Sequence, residues 1–162
     1  MQAEYITKKA EQLLCALGSD PFEAVIQSGA SLCYKDLGSL KGAYFGNMQK
    51  PAVVINETLD EPMKKIVCAH ELGHHILHSG KLCSCSSVTD SSILEREANI
   101  FAAAYLIDSK KAVSLLSEGY TVSQTASMLE TDENLLMFLL NSLNITDAPE
   151  STFLKNESHQ NF

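Results

Sequence analysis

The sequence has no long hydrophobic run. Its longest uninterrupted apolar stretch covers residues 100–107, whereas a helix that spans a bilayer needs about 20 apolar residues. The charged residues Glu4, Lys8, Lys9 and Glu11 are scattered through the first twenty positions, so we expect no signal peptide. Both observations argue against a membrane partner.

Basic residues are scarce. The chain has 12 lysines and arginines against 20 aspartates and glutamates, and its formal net charge is -8. A phosphate backbone repels an acidic protein. The composition therefore argues against direct binding of DNA or RNA.

Cysteines are few and do not form a disulfide pattern. The five cysteines are an odd number and lack the spacing of a disulfide framework, which indicates reduced thiols in a cytoplasmic protein. Cys83 and Cys85 could form a metal clip, but with no matching pair elsewhere we expect them to be thiols on the solvent side of a loop over residues 80–92.

The chemistry of the chain is concentrated in residues 70–74, which read His-Glu-x-x-His. On a helix, His70 and His74 lie one turn apart on the same face, where two imidazoles can bind one zinc ion. Glu71 projects beside them and can take a proton from a water that the metal activates. The motif predicts a Zn²⁺ site with Glu71 as the catalytic residue.

The other residues of this helix have weaker signals. The helix is predicted over residues 61–79, capped by Asp60. Gly73 in its interior costs about 1 kcal/mol relative to alanine, which suggests that something packs close to the backbone there. His78 lies about 12 Å along the axis from His70, so we expect it to contact the helix C-terminus rather than the metal. His75 is predicted to be a surface or packing residue.

A catalytic zinc ion needs a third protein ligand and an open position. The next predicted helix starts at a possible capping box, Ser92 to Glu95, and offers two glutamates on different faces. We favour Glu95, because Asn99 lies one turn further on the same face and could hydrogen-bond a ligand imidazole. Glu97 is the alternative metal ligand, and otherwise we expect it to be a solvent-facing charge.

The rest of the chain predicts an α+β fold that is mostly helical. Two helices over residues 3–28 precede a small sheet of three strands, expected to be antiparallel, over residues 30–56. Residues 1–108 would form the zinc peptidase core, and residues 109–145 a C-terminal helical module packed on it. Residues 146–162 are polar and are predicted to be a flexible tail.

The short helices of the C-terminal module are similar to a helix-turn-helix. The module is not expected to bind DNA. Residues 112–154 contain no lysine or arginine, and the acidic residues Asp132 and Glu133 lie at the start of the helix that would have to contact the DNA, where they would repel phosphate. We interpret it as a packing module or as an acidic surface for a basic DNA-binding partner.

Together these residues resemble the ImmA/IrrE metallopeptidases of bacteria, phages and mobile elements. The resemblance covers roughly residues 20–142, and its motifs are the short β-region, His-Glu-Leu-Gly-His-x-x-Leu-His from residue 70, and the segment from Glu95 through Asn99 to Ala103. The family usually continues with an apolar segment ending in Met-Pro, whereas this chain has Tyr105 followed by Leu-Ile-Asp.

The resemblance implies a gluzincin-like fold with zinc on His70, His74 and Glu95 and with Glu71 as general base. It also implies a substrate class, because family members cleave or otherwise inactivate helix-turn-helix transcriptional repressors. For the donor that stabilises the oxyanion, Tyr105, Tyr120 and His78 are candidates, and the sequence does not rank them.

Two further functions stay open at this point. A non-catalytic antirepressor or adaptor would keep the zinc fold and act by binding, although it has no evident need of Glu71. A structural zinc domain is disfavoured by having only three good ligands. The leading interpretation is a cytoplasmic zinc endopeptidase with a specific protein substrate, whose oligomeric state the sequence leaves open.

Overall fold

The computed structural model describes residues 2–46, 49–78 and 88–145, and for residues 88–91 it describes the backbone alone. In these ranges the helices are α1 (Ala3–Leu17), α2 (Pro21–Gln27), α3 (Glu61–His78), α4 (Val88–Leu106), α5 (Ser109–Ser117), α6 (Val122–Met128) and α7 (Glu133–Ser142). The strands are β1 (Ser31–Lys35), β2 (Gly42–Phe45) and β3 (Ala52–Asn56). The mostly helical α+β class is confirmed. The predictions for Cys83, Cys85 and residues 146–162 fall outside the described residues.

Side-chain caps set the starts of most of these helices. The carboxylate of Asp60 accepts a hydrogen bond from the backbone N–H of Met63, and Asp132 caps α7 in the same way. α4 is different, because it begins at Val88. Ser92 therefore lies inside the helix, and the predicted capping box at this position is wrong.

The sheet is mixed, with the strand order β1-β3-β2. β2 runs antiparallel to β3, as expected, but β1 runs parallel to β3, with Ser31 opposite Ala52. The prediction of an antiparallel sheet is therefore wrong for β1. The chain between β1 and β3 includes β2 and is long enough for the crossover that a parallel pair requires. β3 takes the centre because Val53 and Ile55 are fully buried, and β2 is left at an edge.

α3 and α4 pack closely around Gly73. A Cβ atom at Gly73 would lie 3.1 Å from Cδ1 of Phe101 and 3.2 Å from both Cα and O of Ala98. The expected close approach to the backbone at Gly73 is therefore confirmed, and α4 is the element that approaches. This contact brings the two helices that carry the candidate ligands together.

We predict that Gly73→Ala lowers the free energy of unfolding. The substitution gains up to about 1 kcal/mol of helix propensity, but overpacking of a filled core costs about 1–3 kcal/mol. The backbone of Ala98 cannot rotate away as a flexible side chain could. Urea unfolding of the wild type and the variant would measure the difference in the free energy of unfolding. A more stable variant would contradict the prediction, because it would show that α3 and α4 can move apart to make room for the added methyl group without loss of stability.

α7 packs against α4 and buries four leucines. Its buried residues are Leu135, Leu136, Leu139 and Leu140. This contact extends the core across residues 109–145, and the division of the chain at residue 108 stays a prediction. In the part of the chain that the structure describes, no helix has the length and apolar character to span a bilayer.

The cysteines of the described ranges, Cys15, Cys33 and Cys68, form no disulfide. Cys68 lies in α3 beside the motif and is fully buried. Burial raises the pKa of its thiol to about 12, so the thiol stays protonated at neutral pH. Cys68 is not among the described side chains that form a possible metal-binding group.

Candidate metal centre

Three side chains of α3 and α4 converge at one point. Nε2 of His70 lies 3.1 Å from Nε2 of His74. The carboxylate of Glu95 lies 3.2 Å from the first nitrogen and 3.3 Å from the second. In the described residues these three form the group of side chains that could hold a metal ion. The histidines come one turn apart from α3, and Glu95 comes from the helix that Gly73 allows to approach.

The spacing of these atoms fits zinc. Two ligand atoms that are each about 2.0–2.1 Å from a tetrahedral zinc ion lie about 3.4 Å from one another. The two imidazole nitrogens lie 3.1 Å apart, close to that value, and each lies within 3.3 Å of one of the two carboxylate oxygens of Glu95. The side chain of Glu95 is 55 % exposed, so the cluster is open to solvent on that side, as a catalytic site with a free position requires.

Asn99 contacts the ring of His70. The side-chain oxygen of Asn99 lies 2.9 Å from Nδ1 of His70. Because that oxygen can only accept, Nδ1 carries the proton of the neutral ring, and Nε2 presents a lone pair to the cluster. This is the contact expected for Asn99.

His74 is in contact with a second pair of side chains, His78 and Glu97. Its Nδ1 lies 3.1 Å from Nδ1 of His78, and Nε2 of His78 lies 2.9 Å from the carboxylate of Glu97. His78 is 1 % exposed and Glu97 is 5 % exposed. The predicted contact of His78 with the helix C-terminus and the predicted solvent-facing role of Glu97 are therefore wrong. Both side chains turn inward because each supplies the buried polar partner that the other needs.

These contacts explain why the cluster suits a cation. A carboxylate can only accept, so His78 donates Nε2–H to Glu97, and in a neutral ring its Nδ1 is then left as an acceptor facing Nδ1 of His74. Nε2 of His74 then presents a lone pair, as Nε2 of His70 does. In these tautomers two nitrogen lone pairs and the carboxylate of Glu95 face one another. A metal ion satisfies all three, which agrees with the donor set that zinc prefers.

Glu71 lies beside the cluster and is nearly buried, with 7 % exposure. Burial raises the pKa of its carboxyl group above the usual value, although the nearby His70 and His74 partly oppose this effect. A raised pKa suits a group that must both take and return a proton near neutral pH.

A cavity of about 310 Å³ adjoins these residues. Beside His70, Glu71, Glu95 and Asn99, its walls are mostly apolar and come from α3, α4, α7 and the start of β2: Lys41, Gly42, Met63, Ile66, Val67, Ala102 and Leu135. Leu135 was not predicted as a site residue. It lies in the C-terminal module, and its only sequence signal was a place on the apolar face of a helix.

Gly42 is the point at which β2 meets Glu71. A Cβ atom there would lie 2.5 Å from Cγ1 of Val67 and 3.0 Å from Oε1 of Glu71. Val67 is β-branched and buried, so it has little rotamer freedom with which to move aside. The absence of a side chain at Gly42 therefore gives the carboxylate of Glu71 its room.

We predict that Gly42→Ala lowers peptidase activity by about 100-fold, because a catalytic group displaced by about 1 Å can lose that much. Zinc affinity should stay close to the wild-type value, since Gly42 contacts no candidate ligand. Ala43→Ser, which adds one atom on the other face of the same strand, is the control. Equal activities of both variants and wild type would show that Glu71 tolerates the displacement.

The three candidates for an oxyanion donor lie elsewhere. Tyr105 is 2 % exposed and donates a hydrogen bond of 2.5 Å to the carbonyl of Gly18. His78 is paired with His74, and Tyr120 borders a separate surface depression on α6. None of them lines the cavity beside Glu71 as the structure describes it.

His75 links α3 to neighbouring elements by two hydrogen bonds. Its Nε2–H donates to the carbonyl of Ser28, and its Nδ1 accepts from the hydroxyl of Tyr44. The ring thereby joins α3 to the end of α2 and to β2. His75 is buried, which agrees with the packing role that was one of its two predicted alternatives.

The comparisons with known proteins agree with this geometry. The family model of the IrrE N-terminal-like domain, peptidase M78, matches residues 27–127, more than half of the chain. The chain belongs to this family. The match extends from the end of α2 to α6 and includes the whole metal cluster, whereas Leu135 and the rest of α7 lie beyond it. A search of curated proteins found no match.

Membership of the IrrE N-terminal-like family makes the chain a metallopeptidase-like protein, as its resemblance to the ImmA/IrrE metallopeptidases predicted. His70, His74 and Glu95 form a possible metal-binding group. The family and the cluster are together consistent with zinc. The individual roles of Glu71, Glu95 and Asn99 stay predictions.

Proposed function

We propose that the protein is a zinc endopeptidase that cleaves a helix-turn-helix transcriptional repressor. The observation that carries the proposal is the position of Glu71, which lines one open cavity together with His70 and Glu95, two of the three candidate metal ligands. A binding protein has no need of a buried carboxylate at this place.

The chain's own residues supply the acid–base chemistry. A zinc ion held by His70, His74 and Glu95 would lower the pKa of a bound water and polarise the scissile carbonyl. Glu71 removes a proton from the attacking water and then returns it to the leaving nitrogen. Hydrolysis therefore needs one carboxylate, because the same group acts first as a base and then as an acid.

We expect β2 to hold the substrate. Among the described residues it pairs with β3 along one side and has no strand on its other side, and its first residue, Gly42, lies against Glu71. An extended peptide can add to such an edge by backbone hydrogen bonds. The apolar wall of the cavity, which includes Met63, Ile66 and Leu135, favours an apolar side chain next to the scissile bond.

The charge of the chain favours a basic partner. The net charge is -8, and Asp132 and Glu133 are exposed at the start of α7. DNA-binding domains are basic, so an acidic surface steers them toward the enzyme. Reversal of both charges should weaken binding of the repressor, and unchanged binding would count against this surface.

The decisive experiment uses Glu71→Gln as a trap. The variant should bind zinc and substrate without cleavage, so its partner can be captured from cell extract and incubated with zinc-loaded wild-type protein. We expect mass spectrometry to find the partner whole with the variant and cut at one bond by the wild type. A repressor that the wild type binds and leaves whole would identify an antirepressor, and a cut partner of another class would refute the substrate assignment.

A further inference from the structure

The buried side chains of His78 and Glu97 form a pair that does not line the cavity beside Glu71. His78 is 1 % exposed, Glu97 is 5 % exposed, and their side chains meet at 2.9 Å. Burial of a carboxylate is costly unless it is hydrogen-bonded. A pair that served packing alone could be replaced by apolar residues without loss, so its position behind a candidate ligand points to a role.

We propose that His78 and Glu97 are positioning residues that keep the proton of His74 on Nδ1. Glu97 accepts from Nε2–H of His78, which leaves Nδ1 of His78 as an acceptor 3.1 Å from Nδ1 of His74. The proton of neutral His74 then lies on Nδ1, and Nε2 is held as the metal-binding atom. The inference rests on the metal centre of the proposed function.

The geometry supports this order of donors and acceptors. The rings of His74 and His78 lie 5.2 Å apart between centroids and are tilted by 52°, so they meet through their edges at the two Nδ1 atoms. His78 follows His74 by one turn of α3, and Glu97 comes from α4, the helix that also supplies Glu95. The same pair of helices thus provides a ligand and the partner that orients another ligand.

The two ligand histidines are oriented differently. His70 uses Asn99, one side chain that lines the open cavity. His74 uses a chain of two buried side chains, where no solvent is available as a substitute acceptor. Loss of the acceptor at residue 78 should therefore disturb metal binding more than an ordinary core substitution does.

The test compares His78→Leu with His78→Asn, two side chains of similar size. Both variants remove the ring and its contact with Glu97. Only asparagine offers an oxygen near the former place of Nδ1, where it can accept from Nδ1–H of His74. We expect His78→Leu to lower zinc affinity by about 10- to 100-fold and His78→Asn to retain most of the wild-type affinity, as measured by competition with a chromogenic zinc chelator.

Thermal unfolding of the metal-free proteins separates this role from a structural one. Similar melting temperatures with different zinc affinities would support the proposal. Equal affinities of both variants, whether both reduced or both unchanged, would overturn it. Failure of the wild-type protein to bind zinc would instead refute the metal centre itself, and with it the proposed peptidase.

A second pair of variants, at Glu97, tests the proposal if both His78 variants unfold. Glu97→Gln keeps an oxygen that can accept from Nε2–H of His78, whereas Glu97→Leu does not. The proposal then requires higher zinc affinity in Glu97→Gln than in Glu97→Leu. The same affinity in both would overturn it.

Discussion

Replacement of Glu71 by glutamine is expected to lower kcat/KM for the protein substrate by at least about 100-fold, because a positioned general acid–base group contributes 10²- to 10⁴-fold. Glutamine has nearly the same shape and cannot accept and return a proton. Glu71 is not one of the three candidate ligands, so zinc affinity should be unchanged. Cleavage is followed by mass spectrometry, and zinc affinity by chelator competition.

Glu61→Gln is the matched control. Glu61 lies at the start of the same helix and makes an exposed ion pair with Lys64, and such surface pairs contribute little to stability. The activity of the Glu61→Gln variant should equal that of the wild type. If Glu71→Gln retained full activity beside this control, another group would have to act as the base.

Replacement of Glu95 by alanine is expected to lower zinc affinity by roughly 100-fold and to abolish cleavage. Zinc sites with four protein ligands bind with about 10–16 kcal/mol, so one ligand is worth about 3 kcal/mol. Glu95 contacts both His70 and His74, and its exposed side chain fills no core space. The loss should therefore appear in metal binding and not in the stability of the metal-free protein.

Comparison with Glu97→Gln decides between the two glutamates. Glu97 faces His78, so its replacement leaves the ligand atoms in place, and the visible spectrum of a cobalt-substituted protein should keep its wild-type form. Glu95→Ala removes a ligand and should change that spectrum. The reverse result would assign the third ligand to Glu97.

The relative positions of site residues could be predicted from the sequence where those residues lie on the same helix. His70, Glu71 and His74 share one helix turn, and their relative positions follow from the helix period alone. Glu95 and Asn99 share the next helix in the same way. The close contact at Gly73 could also be predicted from the sequence. A glycine in a helix interior lowers helix stability, so its presence indicates that a larger side chain would not fit there.

The partners of those residues were decided by contacts between distant segments. The sequence indicated that His78 lies near a helix end, but not that α4 would cover it and supply Glu97. The fit of Gly42 against Glu71 depends on β2 lying at the sheet edge beside α3, and Leu135 reaches the cavity only because α7 packs on α4. No local pattern encodes these placements.

The sequence by itself determined the metal-binding motif, the helices and most of their caps, because each depends on residues within a few positions of one another. Only the tertiary structure decided the parallel pairing of β1 with β3, the burial of His78 and Glu97, and the wall of the cavity. These features depend on which surfaces bury one another, and burial is a property of the whole packed chain rather than of any one segment.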